Sequence, residues 1–573
     1  MPATSEDSSC SAAAYPPDMW QRLSRLPGMS ITKGAAEELP ADLPWQDGSA
    51  EPPLGDVHAQ KGGSLRLSSP GPFPSNLLAF GSPYPQFFHT NAFDCVELPL
   101  VQQHPITHAC IGGVARAWAV IGRTVYFRLH PGARYSNGRP VRAADYALGA
   151  LLRAQAGRDG AWATLVREAE SVCIYGEDTL AITMRRERPL PELRAAALLH
   201  AAEPGFYAEF GSDYAEVYAW RVPPTTGAYA IGRIERGRLI ELRRVRHWWA
   251  EDLPQRRFTC NADSICYYFL QDEAQVWELF MRGRLDVLQT RHVAAWQRHE
   301  SAESRLLFRT YKVDAPMPPY GIALNASRLD DISLRRGLMS AMDMRRAVDT
   351  LFRGQAEQLP SFFSGYGALS PRSTPRHVYD PAAARAFFAQ AGYIEPGADG
   401  ILHRPDGARL SVPLAYVPSE KVSALVALLQ ESAARCGAEI VPEPLSWQQV
   451  AHLVREGRHA MVFWAAVPHS LLPDPARHFA SWESGDEAPF CLKDARMDAL
   501  LCAYEKAAVL HDLADVLAQI DALVQHLAIW APAWQENRVY LAHRPHVHFP
   551  ELPGSRYDAV DNHTFWCTER RDP

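Results

Sequence analysis

Arg128-Leu129-His130-Pro131-Gly132-Ala133-Arg134-Tyr135-Ser136-Asn137-Gly138-Arg139-Pro140, continuing through Val141-Arg142-Ala143-Ala144-Asp145-Tyr146, is the stretch that decides the fold. Just ahead of it and into it, Val125, Phe127 and Leu129 alternate with polar neighbours, the period-two pattern of a strand with one buried face. Pro131-Gly132 and Ser136-Asn137-Gly138 read as turns, because Gly and Asn tolerate left-handed backbone angles. A helix is expected to begin near Pro140. No side chain in the run is an obvious nucleophile, acid or metal ligand, so it reads as a folding signature.

The surrounding chain has 573 residues, 47% hydrophobic and 21% charged, enough for two or three lobes with cores of their own. A net charge of -7 argues against nucleic acid as a partner, since phosphate binders concentrate Lys and Arg on one face. No run of about 18 apolar residues suggests a membrane span. Met1 to Cys10 has neither a basic start nor an apolar stretch, so it is not expected to be a signal peptide, and Cys10 is a poor lipid-attachment site. The ten cysteines form no Cys-x-x-Cys pair and are each expected as a buried free thiol. No repeat of about 20 to 50 residues indicates a solenoid or propeller.

Residues 1–44, rich in Ser, Ala, Pro and acidic residues, are expected to be a mobile N-terminal arm. Lys61 to Leu67 then opens a strand from a glycine pair. Asp272 caps a helix that Gly283 ends, and Leu285 to Val287 is a short strand. Asp380-Pro381 opens a helix that ends at Gly392. Ile401 to Val417 is expected to be a hairpin around Pro405-Asp406-Gly407. A helix from Ser419 to Gly437 and a strand from Ala438 to Val441 follow. A Ser446/Gln449 capping box starts a helix stopped by Gly457, before the strand His459 to Ala465. Alternating strands and helices with short connections define an α/β lobe.

The opening stretch resembles the signature of the family 5 extracellular solute-binding proteins, roughly Leu-Arg-x-Gly-x-x-aromatic-Ser-Asp/Asn-Gly-x-Pro-x-Thr-Ala-x-Asp. Lys61 to Leu67, Pro224 to Tyr229, Arg243 to Trp249, Leu253-Pro254, Asn261 to Ile265, Asp272 through Asp286, Tyr320 to Asn325 and Asp331 to Asp343 follow in family order. The likeness covers residues 45–549 and is nearest to the microcin C and oligopeptide-binding subgroup. One departure is Arg142, where the family has Thr: Arg cannot accept the backbone bonds that a capping Thr accepts, an expected cost of about 1 kcal/mol, with water satisfying the helix start.

The resemblance implies an α/β, two-lobed periplasmic-binding-protein (Venus flytrap) fold. Lobe I would hold residues 45–312 and 541–573, with an additional subdomain over about 90–220, and lobe II 313–540. Ligands of the family lie in the cleft beside the crossings, here Asp314 to Tyr320 and Gln535 to His543. The ligand-binding candidates are Tyr320, Trp464, His469, Asp474, Trp482 and Trp534, since aromatics bury large area and Tyr and Trp add a polar handle. Family peptide binders carry an Asp after Trp-x-x that pairs with the ligand amine. Val467 stands there in this chain, which leaves Asp474 as a substitute or a ligand without a free amine.

His543, His546 and His548 cluster near the end, with the last two expected on one strand face, but no third ligand stands at metal-site spacing. His89, His104 and His108 are discounted in the same way. Glu251-Asp252 and Asp330-Asp331 read as loops or helix starts, and no catalytic or phosphate-binding motif is present. The expectation is an extracytoplasmic (periplasmic) subunit of an ABC importer: a monomer, not an enzyme, without cofactor or bound metal. It would capture an oligopeptide or peptide-like solute and serve a membrane permease. The alternatives are a sugar, metal chelate or modified compound as ligand, or a permease-independent chaperone or sensor.

Overall fold

The computed structural model describes residues 15–69, 72–80, 96–104, 106, 107, 109–156, 161–187, 189–270, 272–290, 309–314, 319–353, 356, 358–364, 366, 369–371, 378–465, 472–481, 488–507, 509–534, 538–550 and 564–568. The chain folds as two compact units, Met1–Val313 with Tyr540–Pro573, and Asp314–Val539.

The first unit contains a five-stranded sheet in the order Ser30–Gly34, Ala169–Tyr175, Thr179–Met184, Thr124–Leu129, Ala115–Ile121. The signature stretch connects its strand Thr124–Leu129 to the helix Ala143–Ala156. Alternation holds: Val125, Phe127 and Leu129 are buried. In the turn, Gly138 has φ +84° and its N–H donates to Tyr135 O, while the Tyr135 N–H donates to Arg139 O. The next turn docks onto it through Ser136 N–H to Thr225 O at 2.7 Å and Thr225 N–H to Ser136 Oγ at 3.1 Å. Thr226 O in turn accepts from the indoles of both Trp248, at 2.9 Å, and Trp249, at 3.0 Å. Three separate sequence motifs are thus one bonded assembly.

Asp145 is the knot of that assembly. Its carboxylate, fully buried, accepts from Tyr15 Oη at 2.7 Å, Tyr135 Oη at 3.1 Å, Arg139 Nη1 at 3.2 Å and the Arg142 N–H at 2.9 Å. Burial still pushes this carboxyl above its usual range, against the opposing pull of Arg139. At the helix start two N–H groups find protein acceptors. Ala143 N–H donates to Glu177 O at 2.8 Å and Asp145 N–H to Arg142 O at 3.0 Å. Arg142 instead places its guanidinium 2.6 Å from the exposed Glu177 carboxylate. Exposed pairs of this kind contribute about 0–1 kcal/mol. Arg142→Thr is therefore expected to change unfolding free energy by less than about 1 kcal/mol, cap gained against pair lost, as urea denaturation would show.

Residues 15–44 do not form a free arm. Met19 and Leu23, four apart on the helix Met19–Leu23, are fully buried, and Ser30–Gly34 pairs in parallel with Ala169–Tyr175. The polar composition hid five anchoring residues, Met19, Leu23, Met29, Ile31 and Leu43.

The second sheet of this unit runs Ser64–Ser69, Ser264–Phe269, Leu239–Arg244, Tyr229–Glu235, with the first two strands parallel and the others antiparallel. A third sheet, Val287–Thr290, Arg538–His543, Arg309–Asp314, contains both strands in which the chain passes from one unit to the other.

The second unit is a three-layer α/β domain. Its sheet has the order Glu439–Pro444, Ser411–Tyr416, Met461–Ala465, Tyr320–Leu324, Trp530–Pro532. Ile322, Leu324, Leu414 and Met461 pack with Leu338, Val348, Phe388 and Leu429 of four helices into one core. The local signals hold here. Asp380 accepts from the N–H groups of Ala382 and Ala383, Ser419 from Val422, and the Ser446/Gln449 box is complete. The expected hairpin over Ile401 to Val417 holds only around its tip, where Arg404 N–H donates to Ala408 O and Leu410 N–H to Leu402 O. Its tip turns back through a single bridge, His403 to Arg409, and Ser411–Tyr416 joins the central sheet in parallel with Glu439–Pro444. Two strands on the sheet make a better home for Val412 and Leu414 than an isolated ribbon. Of the eight described cysteines, all free, Cys266, Cys436 and Cys567 are buried as expected, whereas Cys502 is exposed.

Candidate functional site

In open α/β sheets ligands bind outside the carboxyl ends of the strands. In the second unit the register brings four such ends together. Ser411–Tyr416, Glu439–Pro444 and Met461–Ala465 run parallel, while Tyr320–Leu324 runs against them with Tyr320 opposite Ala465. Trp530–Pro532 then runs antiparallel to Tyr320–Leu324, so Trp534 arrives beside Tyr320. Tyr320 N–H donates to Trp534 O, and Ala533 N–H to Tyr320 O, both at 2.8 Å.

On one face of the sheet these ends carry an aromatic cluster. The Tyr320 ring stacks at 5.6 Å on Trp534 and at 5.9 Å on Phe463, and Phe352 meets Trp534 at 5.2 Å. Lys421 Nζ stands 4.8 Å above the Phe352 ring, a cation–π contact. Successive residues of a strand point to opposite faces, so Trp464 lies on the other side, stacked at 5.8 Å on Trp447. Gly321 makes that side possible: a Cβ there would stand 2.5 Å from the Trp530 ring and 2.6 Å from Ala531 O.

Of the sequence-derived candidates, the structure brings Tyr320 and Trp534 into contact and places Trp464 on the opposite face of the same strand ends. Trp534 and Trp464 are buried, at 2% and 5% exposure, and Tyr320 is partly exposed. The Trp534 indole N–H is buried with no hydrogen-bond partner among the described residues. Asp474 is exposed in a loop whose Pro473 carbonyl accepts from Tyr504 Oη at 2.7 Å. His469, Trp482 and Val467 lie outside the described residues, as do His89 and His108.

Sequence reasoning missed Trp447, which is 60% exposed while stacked on Trp464. Its signal was a tryptophan in the first turn of a helix, directly after the capping Ser446, where a large apolar side chain has no structural duty. It also missed the strand ends of the first unit. There Ser69 and Phe269 are register partners at the carboxyl ends of two parallel strands. Phe73 packs at 4.8 Å on Phe269 and at 6.0 Å on Trp220, and the Arg236 guanidinium lies 4.5 Å over Trp220. Ser69 Oγ is buried with no partner among the described residues.

The histidines are otherwise engaged. His543 Nδ1 lies 3.1 Å from Arg544 O, and His546, buried, stands 3.4 Å from Asp286 Oδ1. His548 stacks on Trp566 at 5.5 Å. The expected shared strand face is corrected, because His546 falls in the turn before the two-residue strand Val547–His548. His104 accepts from the Ile106 and Thr107 N–H groups. Among the described residues no three His, Cys, Asp or Glu side chains converge as a metal would require. Glu251 pairs with Arg244, and Asp331 caps the helix Ile332–Ala341. Among the described residues no helix is long and apolar enough to cross a membrane.

The fold is that of the two-lobed periplasmic binding proteins. The oligopeptide-binding protein AppA of Bacillus subtilis, solved with a nonapeptide, superposes with a TM-score of 0.71 at 15% identity, over 89% of this chain and 100% of that one. NikA of Brucella suis, solved with Fe(III)-EDTA, superposes with a TM-score of 0.73 at 17% identity, over 88% and 100%. The bacterial extracellular solute-binding proteins, family 5 Middle, match residues 112–488, more than half of the chain, which therefore belongs to this family. Among curated relatives, the "Probable peptide-binding protein YejA" of Agrobacterium fabrum is 23% identical over 376 residues, 62% of this chain and 57% of that one. The chain spans about half the length of the curated relatives it matches.

Proposed function

We propose that this chain is the extracytoplasmic capture subunit of an ABC importer, and that its ligand is a peptide or peptide-like solute. Capture would be coupled to movement of the two units about their two crossings. The observation that carries this reading is the pair of aromatic clusters at the strand ends of the second unit, Tyr320 with Trp534 and Phe463 on one face of the sheet and Trp447 on Trp464 on the other. Rings of this kind bury the varied side chains of peptides by area and stacking without fixing one sequence. Within the second unit the Trp534 indole N–H would add a hydrogen bond to an extended backbone. Family membership and the peptide-binding relatives support the same class.

Native mass spectrometry of the purified full-length protein tests it. The expected result is a population carrying adducts whose masses and fragments are those of short peptides. Adducts that fragment as sugars or metal chelates would overturn the ligand class while leaving the capture role standing.

A further inference from the structure

The strand ends of the first unit hold a polar atom that packing does not explain. Ser64–Ser69 and Ser264–Phe269 run parallel and stop together, with Ser69 opposite Phe269. Side chains alternate along a strand, and register partners share a face of the sheet. Ser69 therefore lies on the face of Leu65 and Leu67, both buried, with Phe269 beside it. The alternation calls for a third apolar side chain there, yet a hydroxyl is present. Ser69 Oγ is buried and has no hydrogen-bond partner among the described residues, and an unsatisfied buried group of this kind costs stability. A ligand atom bonded to it would remove that cost.

A cation stands at the same end of the sheet. Leu239 pairs with Tyr268, and the Phe269 N–H donates to Arg238 O at 2.9 Å, so the turn at 236–238 sits at the end of Ser264–Phe269. The neighbouring acid, Glu235, is taken by Arg233 at 3.3 Å and Arg238 at 2.6 Å. Arg236 has no carboxylate partner among the described residues, and its guanidinium lies 4.5 Å over the Trp220 ring. Trp220 is nearly parallel to Phe73, at 6.0 Å and 20°, and Phe73 meets Phe269 at 4.8 Å. The rings thus form a wall from the strand end out to the guanidinium. A guanidinium held against a ring keeps the N–H groups of its planar edge for a carboxylate.

We propose that this cluster is an anion subsite of the first unit. Arg236 receives the carboxylate end of a peptide-like solute through charge-assisted hydrogen bonds. The Phe73 and Trp220 rings bury the solute side chain next to it, and Ser69 Oγ bonds the solute further in. Such a subsite rests on the solute-capture reading and adds to it the end of the solute that the first unit holds. The chain carries a net charge of -7, which at long range favours the more positive of two ligands. A preference for a carboxylate must then come from a local cation.

The test is a thermal-shift titration of the full-length protein with one random tetrapeptide library, made as free acids and as C-terminal amides. The wild type should take the acids at concentrations at least about tenfold lower than the amides. Arg236→Gln should bring the two forms within about twofold of each other, by weakening the acids. Ser69→Ala removes no hydrogen bond from the free protein, so its melting temperature without ligand should not fall, whereas acid binding should weaken about threefold or more. Equal binding of acids and amides by the wild type would overturn the subsite while leaving capture standing, and so would an unchanged acid preference in Arg236→Gln. A Ser69→Ala protein that melts earlier and keeps its acid affinity would overturn the role of the hydroxyl. A wild type that binds neither form removes the capture reading and the subsite with it.

Discussion

Asp286→Ala is expected to lose about 3–5 kcal/mol of stability. The Asp286 carboxylate is fully buried and accepts from Arg66 three times: from its N–H at 2.9 Å, from Nε at 2.9 Å and from Nη2 at 2.7 Å. His546 stands 3.4 Å from the other side. Removing the acid leaves a partly buried guanidinium without its buried partner, which costs more than the pair itself contributes. The location magnifies the loss. Asp286 N–H donates to Arg66 O and Arg544 N–H donates to Asp286 O, so the residue joins Ser64–Ser69 to the segment that follows the returning strand Arg538–His543.

The same carboxylate sets an acid limit. Burial alone would raise its pKa, but the hydrogen bonds and charges of His546 and Arg66 outweigh burial and hold it below the usual carboxylate value. A depressed folded-state pKa means stability that is fully present above the unfolded value, near pH 4, and lost as pH falls through the folded one. Urea midpoints measured from pH 7 down to pH 3 should therefore fall below about pH 4 in the wild type, and more shallowly in Asp286→Asn. Identical acid slopes for the two proteins would contradict this assignment.

Trp447→Ala should separate binding from folding. The side chain is 60% exposed, so its removal is expected to change unfolding free energy by less than about 1 kcal/mol. If it forms part of the ligand surface, it belongs to the class of aromatic anchors whose truncation costs about 2 kcal/mol or more of binding. That is a Kd raised about 30-fold. Trp464→Ala makes the contrast. Buried beneath Trp447, it should lose about 3–5 kcal/mol of stability as well as affinity. Titration of intrinsic tryptophan fluorescence and urea unfolding of the two variants give both quantities.

The elements readable from sequence were those whose chemistry closes within one turn. Asp272, Asp380, Ser419 and the Ser446/Gln449 box cap helices because each side chain needs only an N–H two or three residues on. Gly283, Gly392, Gly437 and Gly457 all take positive φ where the helices stop. What escaped was decided by partners far away in the chain. Tyr15 finds Asp145, and Asp286 finds both Arg66 and His546. No local pattern shows that the strand after Gly407 leaves its hairpin for a sheet, because the competing partner lies at Glu439–Pro444. The site was legible in part for the same reason. Tyr320 and Trp464 sit in recognisable strands, but the exposure of Trp447 follows only from the stack beneath it. Phe73 and Trp220 become neighbours only when the first unit folds.

The central claim is that the aromatic strand ends hold a peptide-like solute. A thermal-shift titration of the full-length protein tests it most directly, with pools of short peptides set beside sugars and metal chelates. A ligand that binds only the folded state adds about 2.7 kcal/mol of stability at a hundred times its Kd. The account predicts a saturable rise in melting temperature with peptides, shifted to higher concentration in Trp447→Ala. No rise with any peptide pool, together with a saturable rise from a sugar or a chelate, would contradict it.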